Sequence, residues 1–323
     1  MREGEAGCGK EGPSAYNWQL RTMPAGTPPS LSVSVTPARS RLLADYVALT
    51  KPRVNFLVVL TTFAAFWLGA EPHATLGLLV HTLLGTLLVA SGAAVLNQVL
   101  ERDVDARMLR TQHRPIPDGR LAAADAAYFG LALSVVGVIE LAVGTNALAA
   151  VVACFTLASY ALIYTPLKRV TSLSTVIGAV PGALPPVIGW AAARGELSIE
   201  AAILFAIVFL WQMPHVLAVS WMYRDDYARG GIRVLPVTEP DGSSTARQTV
   251  SYAAALIPVS LIPTLVGFAG ALYFTGALIA GLLLLVVGAN FARLRTVARA
   301  RQLFLASLLY LPLLWTLLLA DSI

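Results

Sequence analysis

Cysteine is close to absent. Cys8 sits in a polar stretch and Cys154 inside an apolar run, which leaves no disulfide framework and no thiolate metal site. Histidine is nearly as scarce: His73, His81, His113 and His215 lie far apart, and none forms the i, i+4 pair of a helical zinc site. Charge is thin as well, at 13% of residues, against roughly 25% in an ordinary soluble domain. What fills the chain instead is apolar: 57% hydrophobic residues and a mean hydropathy of +0.70. These values describe an integral membrane protein. The net charge of +5 calls for no nucleic acid, because cations in such a chain mainly report orientation.

Apolar spans are expected at 54–70, 75–98, 122–143, 147–164, 171–192, 199–222, 249–267, 269–289 and 303–320. Each is long enough, or nearly so, for the roughly 20 residues that a bilayer crossing needs. Spans seven and eight are almost continuous, so "VGFAGA" (266–271) must hold the turn between them. Of the 23 lysines and arginines, all but Arg194 fall in the amino-terminal stretch or in the loops after spans two, four, six and eight. By the positive-inside rule these segments are cytoplasmic. The expected fold is therefore an all-α integral membrane protein, a nine-helix transmembrane bundle with its amino terminus in the cytoplasm and its carboxyl terminus outside.

Residues 1–43, rich in Gly, Pro, Ser and Thr and without hydrophobic periodicity, read as a disordered tail ahead of one transmembrane domain at 44–323. No apolar signal-peptide core precedes the first span, and Glu3, Glu5 and Glu11 argue against a mitochondrial presequence. A bacterial plasma (inner) membrane is the simpler assignment.

Into this apolar background "LNQVLERDVDARMLRTQHRPIP" (96–117) places three carboxylates and four arginines at the end of span two. On a continuous helix Asn97, Glu101 and Asp105 fall within about 80° of one another along roughly 12 Å of axis, while Asp103 points away unless the helix unwinds. Such oxygen ligands suit Mg²⁺, which takes one or two carboxylates and completes its shell with water and phosphate. Arg102, Arg107, Arg110 and Arg114 supply what a polyphosphate needs. Solvated loop charge is the competing reading, but the stripe starts inside the apolar run, where polar groups are costly.

A second cluster, "WQMPHVLAVSWMYRDDYARGGIRVLP" (211–236), ends span six. Helical phase puts His215, Asp226 and Tyr227 on the face of Tyr223 and turns Asp225 to solvent. His215 lies deeper, where it either contacts a substrate or bonds a neighbouring helix. Tyr223 and Tyr227 serve either the site or an interfacial aromatic belt. The echo of "RPIP" (114–117) in "RVLP" (233–236) hints at two equivalent halves facing one cavity. A third stretch, "YTPLKRVTSLSTVIGAVPGALPPVIGW" (164–190), brings Lys168 and Arg169 to the same level, and its Gly and Pro density indicates a distorted helix lining a cavity. Two acidic clusters and a ring of cations at one mouth of an apolar bundle fit a metal-bound diphosphate with a long hydrocarbon tail behind it. The chemistry this supports is prenyl transfer, with metal drawing charge off the leaving group.

"LTKPRV" (49–54), "NQVLERDVDARMLRT" (97–111), "YTPLKR" (164–169), "GALPPVIGW" (182–190), "WQMPH" (211–215) and "YRDDYARGGIRVLP" (223–236) together resemble the UbiA-type intramembrane prenyltransferase superfamily over roughly residues 44–320. Gln98 and Glu101 in the first acidic motif, the added Asp103, and Tyr223-x-x-Asp226-Tyr227 with Gly230 in the second are similar to the branch that prenylates heme rather than quinone precursors. Ser174 and Val234 depart from the Asn and Met expected there.

The resemblance implies Mg²⁺, with Mn²⁺ as the alternative, held by Asn97, Glu101, Asp105 and Asp226. Asp103 belongs to the same catalytic group. It further implies farnesyl diphosphate neutralised by Lys168, Arg169 and one or more of Arg102, Arg110 and Arg114, with Tyr164, Tyr223, Tyr227 and His215 on the substrate side. Heme B is the implied acceptor, at a cytoplasmic-side site in the lipid bilayer, with heme A synthase or oxidase assembly factors as partners. The readings set against it are prenylation of a quinone precursor, a transporter and a heme-binding scaffold. A transporter fits poorly, since most acids lie at one mouth and almost none at mid-membrane, Glu140 being the main exception.

Overall fold

The computed structural model describes residues 38–70 and 74–322, and among these residues the chain is helical without strands. The greater part of the stretch expected as a disordered tail, residues 1–37, lies outside the described residues, as does His73. Within that stretch, however, helix α1 (Ala38–Leu49) already begins.

Among the described residues, nine segments are long and apolar enough to cross a membrane. They are α2 (Pro52–Gly69), α3 (Leu76–Leu100), α5 (Ala123–Gly144), α6 (Ala147–Ala158) continued through a π-helical turn into α7 (Thr165–Leu167), α8 (Ser174–Ala183) with α9 (Pro185–Arg194), α10 (Ile199–Met222), α13 (Ser243–Leu265), α14 (Ala271–Leu294) and α15 (Val297–Ala320). Short helices α4 (Arg102–Asp105), α11 (Arg224–Gly230) and α12 (Leu235–Thr238) lie at the ends where α3 and α10 finish. Six of the nine spans fall close to expectation. The last three run past it at one end, because α13, α14 and α15 carry their arginine-bearing turns as helix beyond the apolar stretch.

Small residues decide how the helices meet. A Cβ on Gly92 of α3 would come within 2.6 Å of the Gly130 carbonyl oxygen on α5, and one on Gly137 within 2.8 Å of that of Gly85, so these backbones are in direct contact. Gly189 does the same for α9 against α2, where an added Cβ would collide with the carbonyl oxygen of Thr62.

The fifth span is broken at Leu184 by Pro185 and Pro186, as its Gly and Pro content foretold. Neighbours satisfy the disturbed backbone: Thr62 Oγ1 donates to the Pro185 carbonyl at 3.1 Å and Gln212 Nε2 to that of Ala179 at 2.7 Å. The break and the alanines of α3 leave an apolar cavity of about 280 Å³, lined in part by Val54, Val58, Ala90, Ala94, Pro181 and Gly182. At the far end of the bundle Asp321, just after α15, accepts from the amide of Tyr273 at 2.7 Å, which ties the last helix to the first turn of α14.

Candidate active site

The first span-ending motif does not continue as one helix. α3 stops at Glu101 (φ −101°, ψ 9°) and the chain restarts as the single turn α4. Asp103 nevertheless faces solvent, as its phase on a continuous helix required, 74% exposed with Arg102 at 3.4 Å. Neither residue lines the cavity, so the expectation that Asp103 and Arg102 serve the site is not matched by their placement. Asp105, by contrast, is buried, and Arg114 Nη1 holds its Oδ2 at 2.7 Å.

Around these groups lies a polar cavity of about 200 Å³, walled by Asn97, Glu101, Asp105, Arg110, Arg114, Tyr164, Lys168 and Tyr227 among others. Asn97 Nδ2 donates to Glu101 Oε2 at 2.7 Å, and Lys168 Nζ bridges Glu101 Oε1 at 2.9 Å and Asn97 Oδ1 at 3.3 Å. Thr165 Oγ1 donates to the same Asn97 oxygen at 3.1 Å. The π-helical turn, Ser159–Tyr164, sets the opposite wall: it points Tyr160 and Tyr164 inward and seats the Lys168 ammonium 4.4 Å from the Tyr164 ring centroid. Arg169 turns outward and reaches the Leu100 carbonyl oxygen.

The second acidic motif takes a different part from the one its phase predicts. α10 ends at Tyr223 (φ −113°, ψ 22°) and α11 starts afresh, which rotates Tyr227 rather than Asp226 into the cavity wall. Asp226 is buried beneath the 108–110 loop, where its carboxylate accepts from the amides of Leu109 (2.7 Å) and Arg110 (3.2 Å) and from Arg229 Nη2 (2.7 Å). Burial pushes this carboxyl up, but the bonds from Arg229 and from the two amides, with the Arg229 charge, outweigh it and hold the pKa below the ordinary value. Asp226 thus clamps the loop that presents Arg110, whose guanidinium lies 5.3 Å from the ring of the partly exposed Tyr223. Asp225 is 83% exposed, as its phase required.

His215 borders neither cavity. It packs between Trp211 and Phe304, with ring centroids at 5.4 and 4.9 Å, and its Nδ1 bonds Ser307 Oγ at 2.9 Å across to α15. That is the bond to a neighbouring helix which one of the two readings expected.

Two residues that sequence reasoning gave no role belong to the site. Tyr160 borders both cavities, and its four-residue spacing from Tyr164 and Lys168 was the available signal. Lys51 borders both as well and is the one charged residue on the apolar cavity's wall. Its backbone is left-handed (φ 50°, ψ 59°) directly before Pro52, a conformation costing about 1–3 kcal/mol. Two buried amides hold the segment in place: Gln98 Nε2 donates to the Leu49 carbonyl and Asn55 Nδ2 to that of Thr50, both at 2.7 Å. The Lys51 ammonium has no hydrogen-bond or ion-pair partner among the described residues. Burial first, then the charges of Arg114 and Lys168, lower its pKa to about 8.

Among the described residues no three His, Cys, Asp or Glu side chains converge as a closed metal cage. Two carboxylates, Glu101 and Asp105, with the amide oxygen of Asn97 do share the cavity wall. That is the donor set of a Mg²⁺ ion that draws its remaining ligands from water and substrate phosphate.

The model of the UbiA prenyltransferase family matches residues 58–316. A protoheme IX farnesyltransferase of Solibacter usitatus is 51% identical over 288 residues, covering 86% of this chain and 99% of the relative. One of Koribacter versatilis is 45% identical over 88% of this chain and 95% of its own. Among solved structures, a digeranylgeranylglyceryl phosphate synthase shares the fold with a TM-score of 0.73 at 14% identity, over 86% of this chain and 98% of that one. A UbiA homologue from Archaeoglobus fulgidus bound to DMAPP and Mg²⁺ shares it with a TM-score of 0.61 at 15% identity, over 85% and 99%.

Proposed function

Since the chain belongs to the UbiA prenyltransferase family, we propose that it transfers the farnesyl group of farnesyl diphosphate to a vinyl group of protoheme IX with addition of water, giving heme O. The observation that carries this reading is the junction of two unlike cavities at Lys51 and Tyr160, one polar and cationic, the other apolar. A diphosphate matches the first and a prenyl chain the second. The acceptor follows from the relatives, whose names specify protoheme IX.

Asn97, Glu101 and Asp105 would hold Mg²⁺, or Mn²⁺, which when bound offsets charge on the departing diphosphate. Lys168, Arg114 and Arg110 line the same wall and neutralise phosphate oxygens as the bond to the farnesyl C1 breaks. Lys51 adds a cation where diphosphate gives way to hydrocarbon. Tyr160, which borders both cavities, stands where the allylic cation forms, and its ring offers a stabilisation of about 0.5–2 kcal/mol. The vinyl carbon attacks this cation, and water captures the positive charge left on the porphyrin side, releasing a proton. Apolar walls keep other water from quenching the farnesyl cation first.

The arginine- and lysine-rich loops all lie at the end of the bundle that holds the site, which supports a cytoplasmic-side site in a bacterial inner membrane. The heme A synthase or oxidase assembly proteins that would take up the product are the expected partners.

The decisive experiment is mass spectrometry of heme from bacterial membranes expressing the chain or its Asp105→Asn variant. A heme heavier by one farnesyl group and one water, absent with the variant, supports the reading. Unmodified heme B in both, with the protein present in the membrane, would point to another acceptor.

A further inference from the structure

At the opposite end of α3 from Asn97 stands a pair that this chemistry leaves unused. His81 Nδ1 bonds Glu140 Oε1 of α5 at 2.7 Å, with the imidazole 47% exposed and the carboxylate 27%. Both lie inside membrane-spanning helices, where an ionisable pair is costly and marks function more often than packing. The ring is seated on Gly144, at which a Cβ would fall 2.5 Å from the imidazole Cγ. Around it Val80, Leu84, Val136, Ile139 and Val143 are exposed on the outer surface of the bundle.

With Nδ1 bonded to the Glu140 carboxylate, Nε2 is the ring nitrogen left to meet a ligand, and such a bond from the far nitrogen is the usual companion of a metal-ligating histidine. Nε2 has no partner among the described residues. An apolar platform with one imidazole standing out of it matches a heme, which is flat, hydrophobic and ligated by neutral histidine. We propose that His81, oriented by Glu140, ligates the iron of a heme lodged on the lipid-facing flank of α3 and α5. Sixteen residues of helix put this position about 24 Å from Asn97, too far for the reaction, so it is a holding site for heme arriving or leaving. The proposal rests on heme being the acceptor.

The test uses the full chain in lipid nanodiscs with one equivalent of hemin, reduced, and read by resonance Raman for the iron–histidine stretch. The band should vanish in His81→Gly and return on adding imidazole to that variant, but not on adding imidazole to empty nanodiscs carrying the same hemin. It should persist in His113→Ala and His215→Ala, and shift to lower frequency in Glu140→Gln as the ring loses basicity. A band that survives in His81→Gly, or does not move in Glu140→Gln, overturns the proposal. So does a wild-type protein without the band whose membranes nevertheless make heme O, a result that leaves the enzymatic reading intact. Membranes that make no heme O and protein that shows no band would bring down both.

Discussion

Replacing Lys51 by arginine should abolish a pH dependence that the wild type shows. In the free protein the Lys51 pKa sits at about 8, so the ammonium is charged at pH 7 and mostly neutral at pH 9. A bound diphosphate favours the charged form and raises that pKa. A group whose pKa rises on binding contributes affinity at pH below its free value and loses it as pH climbs through that value. Between pH 7 and 9 the loss is about tenfold, or about 1.4 kcal/mol. Isothermal titration calorimetry with a non-hydrolysable thio analogue of farnesyl diphosphate measures this, because the last ionisation of its terminal phosphate, at about pH 6, lies below the range. The Kd should rise about tenfold, and buffers of different ionisation enthalpy should show uptake of about half a proton near pH 8. Lys51→Arg should bind with a flat profile, since guanidinium does not titrate there. A flat wild-type profile, or a slope that persists in Lys51→Arg, would refute the reasoning.

Asp226→Asn breaks the charged bond to Arg229 and weakens the two to the 109–110 amides. It should raise KM for the prenyl diphosphate while the helical circular dichroism stays unchanged, with about 1.5–3 kcal/mol lost from the loop. Asp103→Asn, in contrast, should leave kcat/KM within roughly twofold in the same membrane assay, because an exposed pair with Arg102 contributes little. Gly189→Ala drives a Cβ against the Thr62 carbonyl oxygen and to 3.0 Å from the Phe66 amide nitrogen. Thermal unfolding in detergent should show a loss of about 1–3 kcal/mol or more.

Hydropathy made the nine spans legible, since a bilayer imposes length and apolarity on each crossing whatever its neighbours do. The polar stripe of Asn97, Glu101 and Asp105 was legible for a similar reason, its first member lying inside an apolar run. The phase argument misplaced Asp226, which lies just past a helix end. It assumes a continuous 100° step, but α10 ends at Tyr223, and beyond that point the tertiary environment decides which side chain faces in. Thus Asp226 holds a loop and Tyr227 takes the wall, whereas Asp103 and Asp225 meet solvent as their phase required. His215 went the way of its alternative reading because only the packed structure shows Ser307 within reach. Lys51 was hidden among amino-terminal cations that the positive-inside rule already explained. What sets it apart, a left-handed backbone held by Gln98 and Asn55, is a contact between distant parts of the chain.

The π-helical turn at Ser159–Tyr164 is the mark of one residue more than a regular helix would use. Removing the exposed Leu162 would let the span wind as an ordinary α-helix and shed that distortion. It would also bring Tyr164 from four residues after Tyr160 to three, and so change the spacing of the two rings that border the polar cavity. Evolution toward a more robust protein and evolution toward a working one therefore pull this segment in opposite directions. A thermostability screen blind to turnover should collect single-residue deletions here, and lineages that lost the acceptor should be free to do the same.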